Sequence, residues 1–257
     1  VWSCACPNAR SEPMRRGALR AFCLAALACL ATAPLAAQSI VAADYAAPTE
    51  RYPHAVLGDA IEYGALVVTL ADGTRLRAVL PASLVFEDTA PRLVDMGGRD
   101  GPSVVAVESH RDRGARLAIW GMAEGSFARL AATPFIGTRF RWLAPVGAAD
   151  LDGDGAVEVA YVDRPHLARI LRVWRYRPGP PATLEPVARA EGHTNHRIGD
   201  PDIAGGLRDC GAGPEIVTLD PAWRRIRATR LSQGRLQSRD IGANDGPLAL
   251  PRALGCR

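Results

Sequence analysis

The stretch at residues 149–162, with the sequence ADLDGDGAVEVAYV, constrains the fold more than any other part of the chain. Asp150, Asp152 and Asp154 alternate, glycines between and after them permit a tight turn, and Glu158 adds a fourth carboxylate as an apolar run begins. Ca²⁺ takes about six to eight hard oxygen ligands, and alternate residues of a turn can aim them at one point. The stretch therefore predicts a calcium loop that leads into a β-strand.

The predicted ligands are five oxygen donors: the side chains of Asp150, Asp152, Asp154 and Glu158 and the backbone carbonyl of Ala156. An EF-hand begins in a similar way, but it needs a bidentate acid at the twelfth loop position. The twelfth residue counted from Asp150 is Tyr161, so the EF-hand interpretation fails. The remaining alternative is an ordinary polar turn, because Asp and Gly are also frequent turn residues.

The beginning of the chain predicts export. Met14 opens a segment with three arginines, an apolar run fills 21–35, and small residues follow up to Ala37. This order is that of a secretory signal peptide, which we place at 14–37. Residues 1–13 are interpreted as an overlong translation start. A transmembrane anchor is disfavoured because a span needs about 18 or more apolar residues, so we expect a periplasmic or secreted protein.

Charge and length exclude several classes of protein. The 257-residue chain has 31 basic residues, all of them Arg, and 27 acidic ones, which gives a net charge of +4. Residues 1–37 hold four Arg and one Glu, so 27 Arg and 26 acids leave +1 for the rest. This balance gives no indication of nucleic acid or an anionic membrane as a partner. With 48% apolar residues, the chain can bury a full core as one domain.

From Tyr52 onward, short apolar runs alternate with Gly, Pro and Asp without a 3.6-residue period, which predicts an all-β fold. Four similar groups are present, and each has an apolar run in second place: LVVTL from residue 66, VVAV from 104, VEVAYV from 157 and EIVTL from 215. An arginine-rich run follows in each group: RLRAVL from residue 75, RLAIW from 116, RILRVWRY from 169 and RIRATRL from 225.

The spacing of these groups predicts a β-propeller. The second-place runs are separated by 38, 53 and 58 residues, from 66 to 104, 104 to 157 and 157 to 215. About four strands fit into such an interval, and a four-stranded blade must bury its faces against neighbouring blades. We predict a small propeller at 52–257 with four four-stranded blades, or five if the chain ends combine into one more. Residues 38–51 are interpreted as an N-terminal extension.

Cysteine usage predicts one disulfide. Four of the six cysteines precede residue 38, which leaves Cys210 and Cys256 in the mature chain. Two cysteines in an exported protein are expected to pair, whereas a zinc site needs more ligands. They lie 46 residues apart, close to one repeat. We therefore expect the bond to join equivalent positions of adjacent blades and to close the ring.

The sequence DLDGDGAVEV at 150–159 resembles the calcium loop of FG-GAP or VCBS repeats, which form the blades of integrin-α-like propellers. The resemblance covers about 52–257, and one repeat matches well. Degenerate counterparts occur in the second unit and in the fourth, at Met96, Gly98 and Asp100 and at Leu207, Asp209, Gly211 and Glu215. The resemblance implies a repeat propeller that is usually non-catalytic and often adhesive or binding, with calcium at the intact loop alone.

Other polar residues have weaker claims to a function. His193 and His196 are three residues apart and are candidate metal ligands, but hydrogen bonding within a loop between blades is the favoured interpretation. Ser103, Ser109 and Ser126 lie in no GxSxG motif, so no catalytic residues are assigned. Recurring tryptophans are interpreted as packing between blades, and the third-place arginines are expected to face solvent.

These observations favour an exported, non-catalytic binding or scaffold propeller with calcium as a structural ion. We expect a monomer that recognises a protein or glycan ligand through its blade loops, with no transmembrane segment after signal cleavage. The alternative is a propeller enzyme, a hydrolase or lyase, with His and acidic side chains at the central channel. Several such groups that meet away from the calcium loop would favour the enzyme.

Overall fold

In the computed structural model, residues 39–97 and 101–257 are described, and their regular structure consists of antiparallel strands and one short helix. The predicted signal peptide at 14–37 and the segment 1–13 lie outside the described residues. The elements are β1 (Ile40–Thr49), β2 (Glu62–Leu70), β3 (Arg75–Val79), β4 (Leu84–Phe86), β5 (Arg92–Val94), β6 (Ser103–His110), β7 (Gly114–Ala123), β8 (Ser126–Ala132), β9 (Leu143–Ala149), β10 (Glu158–Asp163), β11 (Ile170–Arg177), β12 (Thr183–Glu191), β13 (Gly206–Asp209), β14 (Pro214–Leu219), β15 (Arg225–Ser232), β16 (Arg235–Ala243) and α1 (Ala249–Leu254).

The all-β prediction is confirmed. The four second-place runs fall in β2, β6, β10 and β14, and the arginine-rich runs that follow them fall in β3, β7, β11 and β15. The sequence locates these strands well because apolar and β-branched runs bounded by turn residues are a local signal. Among the described residues, no helix has the length and apolar character needed to cross a membrane.

The strands form three antiparallel sheets. Two of them have four strands in chain order, β9 to β12 and β13 to β16. The third has eight strands, in the order β1-β2-β4-β6-β7-β8, with β3 added on β2 and β5 added on β6. Within this sheet, β5 to β8 repeat the consecutive four-stranded pairing of the other two.

The first two predicted units are joined by the short strand β4. Its three residues, Leu84–Phe86, are all buried, and they pair with β6 on one side while Phe86 also pairs with Tyr63 of β2. An apolar strand that is covered on both faces gains most from pairing at both edges. The first two groups are therefore one continuous sheet, and the count of four or five separate blades stays a prediction.

The expected N-terminal extension at 38–51 is part of the first sheet. Strand β1 pairs with β2 along nearly its whole length, from Ile40 opposite Leu70 to Thr49 opposite Glu62. Ile40 is buried at 1% exposure and packs with Leu66 and Val68. The boundary placed at residue 52 was wrong because alternation in β1 is weak and gives little strand signal.

The three sheets pack against one another in chain order. In β10, Val159 and Tyr161 pack in a core shared with β6, β7 and β9, whereas Ala160 and Val162 pack in the next core, shared with β14. Successive side chains of a strand point to opposite faces, so this division places β10 between two neighbouring layers. All six residues of β10 are buried as a result. The last sheet is covered on its outer face by α1, through Ala253.

The connections gather at two ends of the sheets. The aspartate loop 150–157 joins β9 to β10 at one end. At the other end, which we call the histidine end, lie the connections 164–169, 192–205 and 220–224. Thr194, in the second of them, pairs with Leu219 at the end of β14. The longest of these three closes at Gly205, where φ is +90° and a Cβ would lie 2.3 Å from the Val217 carbonyl oxygen, so only glycine fits.

The predicted disulfide between Cys210 and Cys256 is present, with 5.7 Å between the Cα atoms. Cys210 follows β13, as expected for an innermost strand, but Cys256 follows α1 and not a strand. Because α1 packs on the sheet formed by β13 to β16, the bond fastens the C-terminal helix to that sheet. The prediction that it joins two adjacent blades and closes a ring was wrong in this respect.

Candidate functional site

The aspartate loop is shaped by one of its own carboxylates. Asp150 Oδ1 accepts hydrogen bonds from the backbone amides of Gly153 and Asp154 at 2.7 and 3.1 Å, and Oδ2 accepts one from Gly155 at 2.9 Å. Such contacts are typical of Asp at the start of a turn. The Ala156 amide donates in turn to Asp154 Oδ1 at 2.8 Å.

Arg175 of β11 contacts the other three acids of the loop. Its guanidinium nitrogens lie 2.5 Å from Glu158 Oε1, 2.5 Å from Asp152 Oδ2 and 2.8 Å from Asp154 Oδ2. The strand register causes this contact, because Glu158 and Arg175 are directly opposite in the β10–β11 pair. Burial raises the pKa of Glu158, and the Leu151 amide and Arg175 oppose that rise.

Some of the oxygen donors of the aspartate loop are arranged as a cation site requires. One oxygen each of Asp150, Asp152 and Glu158 lies within 4.8 Å of the others, and Asp152 Oδ1 is buried without a hydrogen-bond partner. Four carboxylates and one guanidinium leave three negative charges uncompensated within the set. These features suit Ca²⁺, whereas Arg175 already occupies contacts that the ion would need. Calcium binding at the five predicted donors therefore stays a prediction.

The fourth unit carries a related arrangement at Glu215, the residue predicted at its closing place. Glu215 is 1% exposed and forms ion pairs with Arg208, Arg230 and Arg239 from the three other strands of its sheet. Arg239, with Arg208 and Arg230, lowers the pKa of Glu215 to about 2 against burial. Arginine is thus the cation that meets the buried acid in both units. In the second unit, Met96 is buried, and Gly98 and Asp100 lie outside the described residues.

At the end of the sheets opposite the aspartate loop, Glu87 is the centre of a buried polar cluster. Its Oε1 lies 2.5 Å from His54 Nδ1, and its Oε2 accepts a hydrogen bond from the Ser109 hydroxyl. The backbone carbonyl of Glu87 accepts a hydrogen bond from Trp142 Nε1 at 2.8 Å. Burial raises the pKa of Glu87, and His54 opposes the rise. Burial, followed by the charge of Glu87, raises the pKa of nearby Glu62 to about 9.

This cluster does not have the order of a nucleophilic triad. In a triad, the base accepts the proton of the nucleophile and a third group orients the base. Here the Ser109 hydroxyl donates to a carboxylate that is itself 0% exposed and also holds His54. Both oxygens of Glu87 are engaged, so Glu87 fixes the connection around it and is not itself a free base.

Two further histidines form a hydrogen-bonded pair at the histidine end. His196 Nε2 lies 2.8 Å from the Asp200 carbonyl oxygen, which can only accept, so the neutral His196 ring carries its proton on Nε2. Its Nδ1 is then an acceptor and receives a hydrogen bond from His166 Nε2 at 2.9 Å. Burial lowers the pKa of His196 and lowers that of His166 to about 4. The pair is therefore neutral at pH 7.

The interpretation of His193 and His196 as hydrogen-bonding loop residues is confirmed. His193 is fully buried, with Nδ1 2.8 Å from Thr218 Oγ1 and Nε2 3.2 Å from Ser238 Oγ. His193 and His196 thus have separate partners and do not converge on one point.

A cavity of about 270 Å³ opens beside the histidine pair. All three connections of the histidine end line it: Pro165, His166, Arg169, Thr194, His196, Arg197, Ile198, Pro221 and Trp223. The guanidinium carbon of Arg197 lies 4.2 Å from the centre of the Trp223 ring, a cation–π contact. The sequence alone does not indicate this site, because its walls come from three separate connections of the chain. The polar GlyHisThrAsnHisArgIle stretch at 192–198 was the available signal, although only Arg197 and Ile198 of it are exposed.

Comparison with known proteins leaves the family open. No family model matches the chain, and no curated protein matches it. Among solved structures, the chain is similar to the WD40 domain of SCAP from fission yeast, with a TM-score of 0.40 and 12% sequence identity. The match covers 83% of this chain and 46% of that chain, so this chain spans less than half of the other's length.

Proposed function

We propose that this protein is an exported, non-catalytic β-propeller that binds a protein or glycan ligand and whose aspartate loop takes one structural calcium ion. The observation that carries the propeller is the alternation of core contacts along consecutive second strands. Val104 and Ala106 of β6 pack in one core, and Val105 and Val107 pack in the next. In a propeller, a blade packs against a neighbouring blade on each face, so its strands have side chains buried on both faces.

Export is supported by the disulfide. Bonds such as Cys210–Cys256 persist in oxidising compartments and are rare in the cytosol. The predicted signal peptide at 14–37 agrees with a periplasmic or secreted location. Recognition through loops is supported by the histidine end, where three connections from successive strand groups converge on one cavity.

The non-catalytic assignment rests on the engagement of Glu87, the buried acid of the cluster that includes His54 and Ser109. The cluster of His54, Glu87 and Ser109 lies away from the aspartate loop, which is the arrangement that the enzyme alternative requires. However, the Glu87 carboxylate is 0% exposed and both its oxygens have partners. General acid–base catalysis needs a group within reach of the proton that it transfers. We therefore favour the binding protein over a hydrolase or lyase.

The calcium part of the proposal is tested by thermal unfolding of the purified protein in calcium and in chelator. At a free ion concentration one hundred times Kd, linkage gives about 2.7 kcal/mol of stabilisation and a rise in Tm of several degrees. Asp152→Ala removes the buried oxygen without a partner and should abolish that rise. Equal Tm values in calcium and chelator for the wild type would refute the ion.

The binding part is tested with immobilised protein and periplasmic extract. A variant with Ile198→Ser and Trp223→Ser alters the cavity rim, and Val79→Ser, at an exposed residue of the edge strand β3, is its matched control. Loss of one captured partner in the rim variant, with capture retained in the control, supports recognition at the histidine end. Equal capture by both variants would place recognition elsewhere.

A further inference from the structure

We infer that the cavity at the histidine end binds an anionic group, a carboxylate or a phosphate, attached to a small apolar moiety. This inference gives a chemical class to the loop recognition proposed above and rests on that proposal for the choice of face. Its basis is the charge, the apolar wall and the size of the cavity.

The charge of the cavity comes from two guanidinium groups. Arg169 and Arg197 both line it, and among the described residues neither is within ion-pair distance of a carboxylate. Most other arginines of the inner strands pair with acids, as Arg172 does with Asp163 at 2.8 Å. No acidic residue lines the cavity among the described residues. An unpaired guanidinium presents a planar set of donors that matches carboxylate and phosphate oxygens.

Two acids that adjoin the connections of the histidine end already have other partners. Asp163, at the end of β10, accepts hydrogen bonds from Arg164 and Arg172. Asp220 accepts hydrogen bonds from the amides of Arg224 and Arg225, at 2.7 Å each. Neither carboxylate has to be displaced for an anion to reach Arg169 or Arg197. Among the described residues, Arg169 and Arg197 therefore form no ion pair that an anion would have to displace.

The histidine pair adds polarity without charge at neutral pH. The hydrogen-bond order assigned above uses His166 Nε2 as a donor, which leaves the lone pair of Nδ1 as an acceptor. A phosphate monoester or carboxylic acid that carries a proton, or a ligand hydroxyl, can donate to it. The selectivity at pH 7 is set by the arginines, because the imidazoles are neutral there.

The apolar part of the ligand is indicated by the remaining wall. Trp223, Pro221 and Ile198 line the cavity, and Ile198 is 71% exposed. Leu167, in the adjoining connection, is 61% exposed. Exposed large apolar side chains beside unpaired arginines favour a ligand with both an anionic and an apolar part. A volume of about 270 Å³ suits a group of the size of a phenyl ring with its anion.

The test is calorimetric titration of the purified protein with phenyl phosphate and 3-phenylpropionate, and with neutral 3-phenylpropanol and cationic phenethylamine as matched probes. We expect saturable binding of one or both anions and binding of the neutral and cationic probes that is at least about tenfold weaker, since charge-assisted hydrogen bonds carry the affinity. A preference for phenyl phosphate assigns a phosphorylated ligand, and a preference for 3-phenylpropionate assigns a carboxylate ligand. Equal binding of 3-phenylpropanol would overturn the inference.

Substitution of the two arginines tests whether the anion binds in this cavity. Arg169→Gln and Arg197→Gln should each weaken anion binding at least about tenfold, and Arg197→Lys should retain part of it. Arg75→Gln, at an exposed residue of β3, is the control and should leave binding unchanged. The Tm of each variant is measured to show that it folds. If Arg197→Gln does not fold, the inference is tested by anion binding to Arg169→Gln and by the loss of anion binding to the wild type at high salt. Unchanged binding in a folded Arg169→Gln protein would overturn the inference.

Failure of this inference differs from failure of the proposed function. A wild-type protein that captures a partner, but binds neither anion, retains its binding function and loses the anionic specificity. A protein that binds the anions, but captures no partner, supports the cavity and overturns the recognition of a macromolecule.

Discussion

Arg175 Nε donates a hydrogen bond to Glu158 Oε1 at 2.5 Å, so the acid that begins β10 is held by the strand beside it. Glu158 is 0% exposed, and a buried carboxylate is costly unless it is paired. The same guanidinium reaches Asp152 and Asp154, and these hydrogen bonds, first that to Glu158, raise the pKa of Arg175 further. If the loop takes calcium as proposed, Arg175 and the ion would compete for one set of oxygens.

Replacement of Arg175 should make the protein dependent on calcium. Arg175→Met leaves buried Glu158 unpaired, and we expect the free energy of unfolding in chelator to fall by about 3 kcal/mol. Calcium at one hundred times Kd should restore about 2.7 kcal/mol of it, and the calcium affinity should exceed that of the wild type. The measurement is urea unfolding in calcium and in chelator.

Arg177→Met is the control for this change. Arg177 lies two residues further on the same strand and pairs with Glu185, and both side chains are about half exposed. Exposed pairs contribute about 0–1 kcal/mol, so little loss and no new calcium response are expected. At one fixed calcium concentration, a gain in the free energy of unfolding for Arg175→Met that is no larger than the wild-type gain would contradict competition between the arginine and the ion.

Local signals determine how much of this structure the sequence predicts. The apolar runs at 104 and 157 have the alternation and flanking turns that define a strand, and both lie in the strands expected. The role of Arg175 needs the register of β10 with β11, which depends on the connection 164–169. Two residues of that connection, Arg164 and Arg169, have positive φ, which few non-glycine residues adopt, so no turn motif signals it.

The expectation that third-place arginines face solvent holds for Arg75 and Arg77 of β3, which are exposed, but was wrong for other members of the set for the same reason. Alternation places a side chain on one face of a sheet, but it does not say which acid stands on the neighbouring strand. Arg116 lies 2.6 Å from Glu108, which is 0% exposed, and Arg230 lies 2.8 Å from Glu215. Both arginines therefore form an ion pair with a buried acid on the neighbouring strand.

Removal of the disulfide should loosen the C-terminal helix first. In Cys210→Ser/Cys256→Ser, the loss of a cross-link that closes a 46-residue loop should lower the free energy of unfolding by about 4 kcal/mol on the chain-entropy model. Because the bond joins α1 to the β13–β14 turn, faster amide hydrogen exchange is expected at 249–254 and 206–210 before other strands. Exchange that rises equally in β1 and β2 would contradict this local role of the bond.

Glu215 should make stability sensitive to acid. Its pKa is lowered from 4.5 to about 2 by Arg239, Arg208 and Arg230, so below pH 4.5 the unfolded state takes up a proton that the folded state does not. The stability that Glu215 contributes is complete above about pH 4.5 and is lost as the pH falls toward 2. Glu215→Gln should therefore show a shallower decline in the free energy of unfolding between these pH values than the wild type.

Glu185→Gln, which removes an acid that is 55% exposed, is the control and should keep the wild-type slope. The measurement is urea unfolding at a series of pH values, and parallel curves for wild type and Glu215→Gln would show that the three arginines do not hold this carboxylate charged.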